Sequence, residues 1–172
     1  MTLTVQDDSG TVADANGYIT VLEFQAYHGH RANDVSAYDE DAIAAAIVRA
    51  SGYLDTRFRF KGRRLNLRDQ STEWPRANCY DSDRAYVLGV PKEVKDATAE
   101  YALRALTAAL APDPEYSTNG AQVQSKSEKV GPIEESTTYV QGSSFQLPKY
   151  PAADLLLTRA GLTESGGNVR RG

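Results

Sequence analysis

Residues 90–110 read VPKEVKDATAEYALRALTAAL, and this stretch decides the fold. Pro91 stands where a first-turn proline belongs, because that position has no intrahelical N–H bond to lose, and Glu93 and Asp96 set acids near the positive end of the helix dipole. Val94, Ala97, Tyr101, Ala105, Ala108 and Leu110 share one broad side, which Ala102, Leu106 and Ala109 widen. A helix apolar over so much of its surface is expected in the core. Ala111-Pro112-Asp113-Pro114 stops it, since a residue before proline is pushed out of the α region. At roughly 1.5 Å per residue such a helix is about 30 Å long, the width of a small domain.

Working back toward the N-terminus, two further helix starts are written in side chains. Thr20-Val21-Leu22-Glu23 is a capping box, in which the Thr hydroxyl and the Glu carboxylate satisfy orphan N–H groups. The first helix draws apolar contacts from Leu22 and Ala26, with Phe24 and Tyr27, and ends near Gly29. Asp39, Glu40 and Asp41 crowd the first turn of the second, where negative charge is favoured. Ile43, Ile47, Ala50 and Leu54 then recur at helical spacing, which predicts a helix from about Asp39 to Arg57. Gly52 inside it is read as a close approach of another backbone. Residues 1–15 are polar and acidic and are expected to form a flexible or partner-ordered arm, followed by the Asn16-Gly17 turn.

The connection between the second helix and residue 90 carries the sharpest feature. Residues 57–68 read RFRFKGRRLNLR, placing Arg57, Arg59, Lys61, Arg63, Arg64 and Arg68 around Phe58 and Phe60 with no acid. Two readings stand side by side. In one, the cations meet phosphates or an acidic protein and the aromatics stack. In the other, Phe58 and Phe60 tuck inward at period two and the cations are solvated. Trp74, beside Pro75 and Arg76, is expected to pin this long connection to the helices as a structural anchor.

After Pro114 the composition shifts to Ser, Thr, Gln, Lys and Glu, and residues 121–140 suggest an extended ribbon bent at Gly131-Pro132 that buries little alone. Ala152 to Leu157 begin a short helix closed by Gly161, and the Gly-rich tail carries Arg170 and Arg171. The expected organisation is therefore mainly α: an N-terminal arm (1–15), a helical bundle core (16–112), and an extended β-like arm with a short helix and tail (113–172). Leu155, Leu156 and Leu157 on the short helix, with Arg170 and Arg171, are candidates for contacts made on assembly.

With 172 residues, a net charge of -4 and a pI near 5.2, the chain is long enough for one real core and is a poor whole-protein nucleic-acid binder. Cys79 is the single cysteine, which excludes an intramolecular disulfide and a cysteine metal site. No apolar run reaches membrane length and no leader is evident, so a cytosolic product without membrane contact is expected. His28 and His30 point to different faces of one helix and read as surface histidines, with no third ligand at metal spacing. No nucleophile elbow, Walker loop or dinucleotide fingerprint occurs, so neither an enzyme nor a cofactor is expected.

Several pieces together resemble a known family. Asn16-Gly17-Tyr18-Ile19-Thr20 with Glu23 and Tyr27, Ala50 to Leu54, Trp74-Pro75-Arg76 with Tyr80-Asp81, Val90-Pro91 with Val94, Ala97, Glu100 and Leu103, the SEKVGPI segment, and PAADLLL at 151–157 are similar to the head-tail adaptor (head completion, connector) proteins of tailed bacteriophages. Some such sequences carry the label DnaT-like single-stranded DNA-binding protein. The resemblance spans about residues 16–162. It implies a ring, expected dodecameric, of a structural protein made in the host cytoplasm and located in the virion neck. The implied partners are the portal and a stopper or tail-completion protein, with packaged DNA a further contact. Tyr38 stands where a tryptophan is common in the family, and the basic run is unusually long. Single-stranded DNA binding is the alternative function.

Overall fold

A computed structural model describes residues 2–113, 123–129, 134–139 and 148–164. The chain divides into two compact units, one of Met1–Leu110 with Lys149–Gly172 and one of Ala111–Pro148. The described residues are mainly helical, with α1 (Val21–Gly29), α2 (Glu40–Arg57), α3 (Lys92–Ala105) and α4 (Pro151–Arg159). In the first unit β1 (Arg63–Arg64) pairs antiparallel with β2 (Arg76–Ala77). In the second, β3 (Val123–Lys129) pairs antiparallel with β4 (Glu134–Tyr139). The expected bend at Gly131-Pro132 lies outside the described residues, as do residues 114–122, 140–147 and 165–172.

The helix starts form as their caps dictate. The Thr20 hydroxyl accepts from the Glu23 amide at 3.1 Å and the Glu23 carboxylate accepts from the Thr20 amide at 2.7 Å. Asp39 accepts from the Ala42 amide at 2.6 Å. α1 is too short to bury more than one i, i+4 pair, and it buries Phe24 and His28. Leu22, expected to face inward, is 73 % exposed. The Phe24 side removes more apolar surface from water than Leu22 and Ala26 would.

α2 and α3 pack through Ala46, Ile47, Ala50 and Leu54 on one side and Val94, Ala97, Tyr101 and Ala102 on the other, all fully buried. Their alanines leave little side chain between the helix axes. Gly52 does not serve this approach: a Cβ there would meet nothing within 4 Å. α3 is shorter than its sequence suggests, because Pro91 is the cap and the helix ends at Ala105. The Arg49 guanidinium donates to the Ala105 carbonyl at 2.8 Å and satisfies a helix-end acceptor before the prolines are reached. Leu110 then turns back and is buried.

Two boundaries need correction. The N-terminal residues pack as part of the first unit: Gln6 donates from its amide to the Gly17 carbonyl at 2.9 Å, Asn16 to Thr4 at 2.8 Å, and Asp8 accepts from the Val90 amide at 2.9 Å. Polar bonds hold this strap, which is why apolar patterning missed it. The C-terminal segment is not one assembly arm either. α4 packs on α3 within the first unit, with Ala153, Leu157 and Leu162 buried, so the core takes up the chain again at residue 149.

His28, read as a surface residue, is also fully buried. Its Nε2 lies 3.1 Å from the Ala99 carbonyl and its Nδ1 lies 3.2 Å from the Asn33 side-chain amide. That pairing fits the neutral ring with Nε2–H donating and Nδ1 accepting, and burial lowers its pKa from the ordinary value.

Candidate functional site

The long connection after α2 folds as the bland reading of its aromatics requires. Phe58 and Phe60 alternate inward and are buried. Trp74 is fully buried, with its ring edge-on to Phe60 at 5.4 Å between centroids. The Trp74-Pro75 peptide is cis. Several of the cations around them are bound to the protein itself, each in a different way.

Arg57 is drawn into the core. Its side chain is 8 % exposed, donating to Asp154 of α4 at 2.8 Å and to the Tyr53 hydroxyl at 2.6 Å. The Tyr101 hydroxyl donates to the same carboxylate, so one partly buried acid ties α2, α3 and α4 together. Burial next to that carboxylate pushes the Tyr101 hydroxyl far above its usual pKa. Arg57 was a candidate surface contact, and the structure makes it a clamp. Arg76 is likewise internal, donating to the Lys61 and Gly62 carbonyls at 2.8 and 2.9 Å and to Glu73 at 2.5 Å. Arg64 donates to the Gln70 carbonyl at 3.1 Å and lies 3.7 Å from Glu73. Arg59 pairs with Glu164 at 2.6 Å at the surface, and the backbone of Lys61 bonds Leu162. Arg63 and Arg68 are exposed and have no ion-pair partner among the described residues.

The proposed contact leucines of α4 separate by face. Leu155 is 52 % exposed, Leu156 is half-buried and Leu157 is fully buried. Leu157 therefore packs in its own core, as the i+4 partner of Ala153, and is not a surface contact. Arg170 and Arg171 lie outside the described residues.

Two features went unread in the sequence. Asp55 carries a buried carboxyl that accepts from the Tyr18 hydroxyl and from the Glu73 amide at 3.2 Å. Tyr18 in turn accepts from the Trp74 amide at 3.2 Å, so this group fastens the tryptophan loop to α2. Burial pushes Asp55 up to about 7, against the pull of those two donors, with Glu73 adding like charge and Arg64 opposing it. The second feature is the loop after β2. Tyr80 and Tyr86 bridge it as an antiparallel pair with rings 5.3 Å apart, yet they are 50 % and 46 % exposed, and Leu88 is 78 % exposed. The signal for it was the Asp81-Ser82-Asp83 turn set between two tyrosines.

A groove of about 420 Å³ lies between α1 and α3, floored by Ile19, Ala26, Val90 and Ala99. Its charged rim is already paired within itself, Lys92 with Asp96 and Lys95 with Glu23, while Arg31 lies over the Tyr27 ring. Cys79 is fully buried, and that burial raises its thiol above the ordinary value. Among the described residues no group of three or more His, Cys, Asp or Glu is placed to hold a metal, and no helix is long and apolar enough to cross a membrane.

No curated protein and no solved structure gives a match. A family model does, and it runs the whole length of the sequence. On that match over residues 1–172, the chain belongs to the family described as "Putative DnaT-like ssDNA binding protein".

Proposed function

We propose that this chain is a non-catalytic assembly subunit, the head-tail adaptor of a tailed-phage neck, which associates with its own copies as a ring and joins a portal to a stopper or tail-completion protein. The observation that carries the reading is the fate of the basic run. Arg57, Arg59, Arg64 and the neighbouring Arg76 are bound to the protein's own carboxylates and carbonyls, whereas tyrosine and leucine side chains are left exposed. Exposed tyrosine and leucine on a net acidic chain suit protein contacts better than a phosphate backbone. The order of motifs along residues 16–162, similar to the adaptor family, supports the same reading.

The family description favours a second reading, single-stranded DNA binding, for which Arg63 and Arg68 are exposed cations of the basic run with no ion-pair partner among the described residues. The two readings separate in one titration. A single-stranded DNA binder holds a labelled oligonucleotide with an affinity that falls steeply with salt, through counterion release. An adaptor leaves the oligonucleotide free while it self-associates and binds portal. Tight, salt-sensitive binding by an unassembled chain would replace the adaptor reading with the second one.

A further inference from the structure

Five of the large apolar side chains exposed among the described residues lie on two loops. One loop, residues 63–68, shows Leu65 at 40 % and Leu67 at 55 % exposure between Arg63 and Arg68, which have no ion-pair partner among the described residues. The other, residues 80–88, shows Tyr80, Tyr86 and Leu88 beside Asp81, Asp83 and the exposed Arg84, which leaves it net acidic. Both are exposed in the same protomer, so neither covers the other.

Both loops are also held stiffly. In the second, Asp81 accepts from the Asp83 and Ala85 amides at 2.9 and 2.8 Å, and Ser82 donates to the Ala160 carbonyl at 2.9 Å. In the first, Leu65 donates to the Pro75 carbonyl at 3.1 Å and Asn66 to the Ser9 carbonyl at 2.8 Å. Side chains displayed on pre-ordered backbone lose little entropy on binding, and tyrosines and leucines held out in water are an uncompensated cost until something covers them. The charges narrow the choice of cover. Asp81 and Asp83 outweigh Arg84 and disfavour a phosphate backbone at the tyrosines, while Arg63 and Arg68 disfavour a basic surface at the leucines. Each loop complements the other in both net charge and apolar content.

We infer that residues 80–88 of one copy dock on residues 63–68 of a second copy, with Tyr80, Tyr86 and Leu88 packing on Leu65 and Leu67, and Asp83 facing Arg63 and Arg68. This inference rests on the self-association in the proposed function and names the surface that carries it.

The test is a charge exchange in the full chain, read by sedimentation velocity over a concentration series. One variant carries Arg63→Glu with Arg68→Glu, and the other carries Asp83→Arg. All three positions are exposed and free of side-chain partners among the described residues, so unchanged circular dichroism and melting are expected. Each variant alone should lose self-association by at least about tenfold, because like charges then face each other. An equal mixture should regain it, since every acidic loop again meets a basic one. Leu88→Asp should weaken association with no rescue by either variant. Variants that assemble as the wild type does overturn this interface and leave the adaptor reading standing. A wild-type chain that stays monomeric at every concentration overturns both. Oligonucleotide binding by a monomer that is lost with Arg63 and Arg68 would assign the basic loop to nucleic acid and overturn the inference as well.

Discussion

Replacing Asp55 by Asn should change how stability depends on pH, and the sign follows from the site. The Asp55 carboxyl is raised in the folded protein from 3.8 to about 7, because burial outweighs the two hydrogen bonds it accepts. The folded state therefore binds a proton more tightly than the unfolded chain. The stability this contributes is fully present below about pH 4 and is lost as pH rises through about 7. At ~1.4 kcal/mol for each tenfold change in proton affinity, the swing is about 4 kcal/mol. Asn cannot ionise, so the variant escapes that loss. Its fixed cost, from the acceptor given up to Tyr18 or Glu73, is the same at every pH. Urea unfolding of wild type and Asp55→Asn from about pH 4 to pH 8 gives the difference directly. His28, lowered by burial, costs stability as pH falls below its ordinary range, and it cancels because both proteins carry it. The expected result is that the variant gains on the wild type as pH rises, most steeply between the two pKa values, 3.8 and about 7, and levels off above 7. A difference that stays flat across the range would refute the buried-carboxyl argument.

Three further outcomes are expected. Trp74→Ala should destabilise the chain by about 3 to 5 kcal/mol in a denaturant melt, the cost of truncating a buried aromatic. The Trp74 indole N–H has no partner among the described residues, so this cost is packing and not a lost hydrogen bond. Asp154→Asn removes the charge opposite a guanidinium 8 % exposed and should cost about 3 kcal/mol, with hydrogen exchange rising first in α4. Replacing residues 111–148 by a short Gly-Ser linker should leave the first unit folded, because the Tyr150 hydroxyl reaches the Leu110 carbonyl at 3.2 Å and the two ends are already close. Ending the chain at Leu110 should instead destabilise it, since Ala153, Leu157 and Leu162 are core residues, and circular dichroism melts of both chains check this.

What the sequence disclosed was what local chemistry encodes. Thr20 with Glu23 and Asp39 with Ala42 satisfy backbone groups three residues away, so their helix starts could be read directly. Burial of Trp74 was expected from its type and the proline beside it, whereas Phe58 and Phe60 were open between stacking and tucking inward, and the structure buries both. The parts that could not be read depend on partners far along the chain. α3 ends where Arg49 reaches the Ala105 carbonyl, the N-terminal strap is held by Thr4, Gln6 and Asp8, and α4 docks because Asp154 answers Arg57. The same distance effect explains the basic run. A cation in sequence carries no mark of whether a carboxylate waits ninety-seven positions away, as Asp154 does for Arg57. Tyr80, Tyr86 and Leu88 look like core residues by type, and only the turn geometry around Asp81 shows that they face outward.

The central claim is that this chain assembles with itself and does not hold single-stranded DNA as its main partner. Sedimentation velocity of the full chain mixed with a dye-labelled single-stranded oligonucleotide, followed at separate wavelengths for protein and DNA, tests it in one run. The account predicts that the protein sediments as a closed oligomer while the oligonucleotide sediments free at moderate salt. Co-sedimentation of the oligonucleotide with an unassembled chain, released as salt is raised, would contradict it.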